Sequence, residues 1–71
     1  MSNTPSLTPK EIVKILKQKG FVLDRSRGSH QIWLHPVSRK RAIVPMHNKD
    51  ILTGTLYSIL KQAGIDKEEM Q

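Results

Sequence analysis

The sequence has 71 residues with no cysteine, one Phe, one Trp and one Tyr, and its twelve Lys plus Arg against six Asp plus Glu leave a formal net charge of +6. A chain this short forms one domain at most and buries only about 60% of the surface its unfolded form exposes, so any functional site has to lie on the surface. The lack of cysteine excludes disulfide scaffolds, cysteine-based zinc sites and thiol catalysis, while the positive surplus favours a polyanionic partner, nucleic acid foremost. The opening "MSNTPSLTPK" has no apolar segment, and no apolar run approaches the roughly 20 residues of a membrane span. The expectation is a soluble, cytoplasmic chain without signal peptide or membrane contact.

Residues 1–7 are polar and carry Pro5, which predicts a loose tail; the same holds for 67–71, within a single domain of 1–71. In "TPKEIVKILKQKG", Thr8 is an N-cap, Pro9 suits the first helical position, Glu11 completes a capping box and Gly20 is a stop. Ile12, Val13, Ile15 and Leu16 form one apolar stripe, so a helix is predicted over 9–19. "FVLDR" (21–25) reads as a strand, "SRGS" (26–29) as a turn with Gly28 free to take a positive φ, "HQIWLH" (30–35) as a second strand, "PVSRK" (36–40) as a turn and "RAIVPM" (41–46) as a third strand. In "ILTGTLYSILKQAG", Leu52, Leu56, Ile59, Leu60 and Ala63 make a second helical stripe, with Thr53 or Gly54 as N-cap and Gly64 as stop. The order α-β-β-β-α predicts an α+β fold: a three-stranded antiparallel sheet with both helices on one face and the other face wet.

Among the candidates for chemistry, His30 comes first, in "RGSHQIW". An imidazole exchanges a proton near neutral pH, which suits general acid–base work. Its place at a turn–strand junction sets it beside Arg25 and Arg27. Taken by itself, a strand-edge histidine is more often surface without a task. Ile32 and Leu34 read as the buried face of the second strand, and His30 shares their parity; the turn beside it could still leave it exposed. His35 is expected to be solvated and His47 to neighbour the ligand surface. His30 and His35 stand at opposite ends of the second strand and His47 lies beyond the third, with no i,i+4 helical pair, so neither a metal nor another cofactor is expected. The sequence has no carboxylate pair, phosphate loop or nucleophile elbow.

One histidine and a basic surface are enough for one reaction. RNA carries its own nucleophile, the 2′-hydroxyl, and a base that removes its proton lets the oxygen attack the adjacent phosphorus, with cations offsetting the charge on the phosphoryl oxygens. The candidate phosphate contacts are Arg25, Arg27, Ser29, Arg39, Lys40 and Arg41, with Lys49 a further one, and Gly28 shapes the turn that presents His30. A non-catalytic RNA-binding module would explain the same charge. A DNA-binding regulator is disfavoured, because the second helix carries only Lys61.

"LTPKEIVKILKQKGFVLDRSRGSHQIWLHP" followed by "AIVPMHNKDILTGTLYSILKQAGI" resembles HicA, the RNA-cleaving toxin of HicA–HicB toxin–antitoxin systems, over about residues 7–66. The "GSH" turn with an aromatic three residues on, "VPMH" and "GTLYSILKQAGI", in that order, carry the resemblance. It implies a fold similar to a double-stranded-RNA-binding domain, endonucleolytic cleavage of mRNA without the ribosome, His30 as the catalytic residue, and a HicB antitoxin that covers the active surface. The toxin alone is expected to be monomeric and its complex with the antitoxin a larger hetero-oligomer. Leu34 departs from the family, whose members often carry a polar or basic residue there.

Overall fold

The structure is a computed structural model that describes residues 7–46 and 50–66. Its order is α1 (Pro9–Gln18), β1 (Val22–Arg27), β2 (His30–Leu34), β3 (Arg41–Pro45) and α2 (Thr53–Ala63). The strands form one antiparallel sheet in the order β1-β2-β3.

Local chemistry fixes both ends of α1. The Thr8 side chain accepts from the Glu11 N–H, and the Glu11 carboxylate accepts from the Thr8 N–H at 2.8 Å, which closes the capping box. At the other end Gly20 takes φ +93. That conformation lets the Phe21 N–H reach the Leu16 carbonyl and the Gly20 N–H reach that of Lys17, a Schellman ending that sets Phe21 against Leu16 in the core. The helix therefore stops at Gln18, one residue short of the predicted 19. In α2 the N-cap is Leu52, earlier than the predicted Thr53 or Gly54, and no side chain caps it. Leu7, predicted to be tail, is half-buried and forms an antiparallel bridge with Ile51.

Ile12 and Leu16 of α1 and Leu56, Ile59 and Leu60 of α2 are buried on one face of the sheet, against Trp33, Ala42 and Val44. The helix layer lies mainly on β3. β1 is exposed at all six positions, so this strand projects beyond the helices.

The structure reverses the predicted orientation of β2. Trp33 is 4% exposed, whereas Ile32 and Leu34 are only partly buried. The strand has apolar residues on both parities, and the register decides between them. Trp33 pairs with Ala42, and Ile32 pairs with Ile43, which is 45% exposed. His30, Ile32 and Leu34 therefore occupy the open face. His30 keeps their parity, but that parity points away from the core.

Candidate functional site

The β1–β2 hairpin closes through two residues, Gly28 and Ser29. The predicted four-residue turn is shorter because β1 runs on through Ser26 and Arg27. Gly28 has φ +57, and a Cβ placed there would meet nothing within 4 Å. Conformation rather than space calls for glycine: it sits at the first central position of a two-residue hairpin, where a type II′ turn takes one. The Met46 N–H donates to the Ser29 carbonyl at 2.6 Å and ties the turn to the end of β3.

His30 follows as the first residue of β2 and is exposed. It pairs with Arg27 on one side and Pro45 on the other. A β-bulge between Leu23 and Arg25 places Asp24 as the extra residue, so that Arg25 pairs with Ile32. Strict alternation from Leu23, which pairs with Trp33, would have sent Arg25 and Arg27 toward the helix side. The bulge resets the parity and puts both arginines on the face of His30. Arg25 Nε lies 3.4 Å from the Asp24 carboxylate, with its side chain 60% exposed. An exposed pair of this kind adds little stability, and the guanidinium keeps further N–H donors for a ligand.

Arg25, Arg27, Ser29 and His30 thus meet at one end of the sheet. Arg39, Lys40 and Arg41 lie at the other end, where Arg41 pairs with Leu34, four residues or about 13 Å along β2 from His30. Arg39 takes φ +67 in the β2–β3 turn. The sequence-derived cation set is therefore divided between two places.

His35 is half-buried rather than solvated. Its Nδ1 accepts from the Val37 and Ser38 N–H groups at 3.2 and 3.1 Å, and its ring meets Phe21 edge-on at a centroid distance of 5.3 Å. The residue holds the β2–β3 turn. His47 and Lys49 lie outside the described residues. Among the described residues no group of three or more His, Cys, Asp or Glu could hold a metal ion, and no helix is long and apolar enough to cross a membrane.

Sequence reasoning passed over a groove between α1 and the β1–β2 hairpin that carries Lys10, Lys14 and Lys17 on one wall. Their i, i+4, i+7 spacing in "KEIVKILK" was readable as a single helix face.

Two comparisons bear on the chain as a whole. The family model described as the HicA toxin of bacterial toxin–antitoxin systems matches residues 9–65, from the first residue of α1 to just beyond Gly64. No curated protein matches the chain.

Proposed function

The chain belongs to the HicA toxin family of toxin–antitoxin systems, and from that premise we propose that it is a ribonuclease that cleaves mRNA with His30 as general base. The family brings an antitoxin partner; in this reading the antitoxin is of the HicB type and blocks the RNA surface. The toxin alone is monomeric, acts in the cytoplasm and needs no metal or other cofactor.

One observation carries the reading: His30 is exposed on the open face beside Arg27, with Arg25 next along the same face. In the reaction, an imidazole nitrogen of His30 takes the proton of an RNA 2′-hydroxyl. The 2′-oxygen forms a bond to the adjacent phosphorus, the bond to the 5′-oxygen breaks, and the leaving oxygen takes a proton from water, while the protonated imidazole returns its proton to solvent. The product is a 2′,3′-cyclic phosphate. Arg27 and Arg25 stabilise the charge that gathers on the phosphoryl oxygens, where a nearby cation is worth most. General-base help contributes roughly 10²- to 10⁴-fold. Ser29 offers a hydroxyl to a neighbouring phosphate, and Arg39, Lys40 and Arg41 supply a second anionic contact farther along the sheet.

The test is incubation of the purified chain with mRNA, followed by analysis of fragment ends. Cyclic-phosphate ends formed equally in EDTA are expected. Fragments with plain 3′-hydroxyls, or loss of cleavage in EDTA, would overturn the mechanism. Binding without fragments would make the chain a non-catalytic RNA-binding module instead.

A further inference from the structure

We propose that the groove between α1 and the β1–β2 hairpin holds the phosphodiester backbone of an RNA strand and leads it to His30; the inference rests on the ribonuclease reading above. The groove measures about 430 Å³. Lys10, Lys14 and Lys17 stand along one wall, all exposed, and Leu23 and Trp33 form part of the floor. Among the described residues no acidic side chain lines it.

Three features point to a phosphate chain. The first is spacing: Lys10 and Lys14 are about 6 Å apart along the helix axis and Lys17 about 4.5 Å farther on, so the charges form a row rather than a point. The second is the cost to the helix. Like charges at i,i+4 and i,i+3 repel, and Lys10, in the first turn, also opposes the helix dipole. Lys17, in the last turn and over the Trp33 ring, suits the helix, but Lys10 and its spacing to Lys14 do not, and a polyanion lying along the row would relieve that repulsion. The third is continuity with the candidate catalytic end. Gln31 and Met46, whose N–H is bonded to the Ser29 carbonyl, both line the groove at the hairpin end; Gln31 faces the helix side and His30 the open face, so a strand leaving the groove passes round this end of the sheet to reach His30. The row is also held in place: Lys17 Nζ lies 5.8 Å from the Trp33 ring centroid, and the indole N–H donates to Gln31 Oε1 at 3.2 Å.

The open face and the groove then divide the work. Arg25, Arg27 and His30 act at the scissile phosphate, and the lysine row fixes the flanking nucleotides, which sets affinity.

The experiment uses the full chain carrying His30→Ala, so that RNA stays intact, and a fluorescently labelled single-stranded RNA of mixed sequence. Affinity is measured across salt concentrations with and without Lys10→Ala, Lys14→Ala and Lys17→Ala together. The triple substitution is expected to weaken binding roughly 10- to 100-fold. It should also lower the salt slope by about 2, since each phosphate neutralised on a single strand adds about 0.7 to that slope. With His30 present it raises KM far more than it lowers kcat. Lys→Arg at the same three positions restores binding. Thermal melting should show the alanine variant folded and within a few degrees of its parent, since the loss of Lys17 from the Trp33 ring offsets the relief of repulsion, which separates an effect on binding from an effect on folding. Unchanged affinity and slope would overturn the proposal. So would intact RNA binding with impaired antitoxin binding, which would make the groove a protein interface. If the row binds RNA but the unsubstituted chain does not cleave it, the groove stands and the ribonuclease reading falls.

Discussion

Arg27 and His30 face each other across the Gly28–Ser29 turn, paired in register on the open side of the sheet. Directly paired residues of this kind bring their Cβ atoms within about 4.5–5.5 Å, so the guanidinium reaches any phosphate that the imidazole reaches. Arg27→Ala is expected to lower kcat by about tenfold. That is less than the roughly 10²- to 10³-fold of a preorganised, water-excluded donor, because Arg27 is exposed. Arg39→Ala is expected to change kcat by less than about twofold, since the far end of the sheet lies beyond the ~8 Å screening length of physiological salt. Steady-state cleavage of one RNA by both variants checks the contrast; equal effects would dissolve the special place of Arg27.

The two described histidines should separate cleanly. His30 is exposed at a strand end, so His30→Ala should abolish cleavage and growth arrest while the melting temperature stays within about 2 °C, in line with the small effect of most surface changes. His35→Ala removes an acceptor from two backbone N–H groups and an edge-on ring contact with Phe21. Together these are worth about 1–3 kcal/mol. A fall of several degrees is expected, with kcat per folded molecule preserved. Paired melting and cleavage measurements decide; a cleavage-competent His30→Ala chain removes the proposed base.

The assignment of sheet faces makes its own prediction. Trp33→Ala empties a core site and should cost about 3–5 kcal/mol, enough to unfold much of a marginal domain. Ile43→Thr, one strand over on the open face, should cost less than about 1 kcal/mol. Urea denaturation of the two variants reads the difference, and the opposite order would turn the sheet over.

Both helices were legible, α1 from the chemistry at its ends and α2 from its apolar stripe, although no side chain marks where α2 begins. Thr8, Pro9, Glu11 and Gly20 make α1 readable from a few residues, and the Leu56–Leu60 stripe does the same for α2. The orientation of β2 was not legible for a different reason. "HQIWL" has apolar side chains on both parities, two on one and one on the other, and counting favoured Ile32 and Leu34. The indole of Trp33 outweighs either by area, and the facing Ala42 and Val44 leave room for it beneath the helices. The bulge at Asp24 belongs to the same class of information. It exists only in the pairing of β1 with β2, so nothing in "FVLDRSR" announces that Arg25 and Arg27 join the face of His30. The lysine row was legible by spacing, but its meaning needed the groove that β1 makes by projecting past the helices. The candidate base was readable as a residue; which side of the sheet it serves was not.

Gly28 provides the last prediction. With φ +57 and nothing within 4 Å of the place a Cβ would take, Gly28→Ala creates no clash and acts through backbone strain alone. The left-handed region costs a non-glycine residue about 1–2 kcal/mol. For a domain of this size each kcal/mol lowers the melting temperature by about 4–8 °C. If the strain instead opens the turn, Arg27 and His30 lose their register and cleavage falls along with stability. Gly28→Asn should recover part of both, because asparagine is accepted at the positive-φ positions of the primed hairpin turns better than alanine. Melting curves and cleavage rates for the two variants test this together. An alanine variant as stable and as active as the parent would show that the turn does not need the positive φ to present His30.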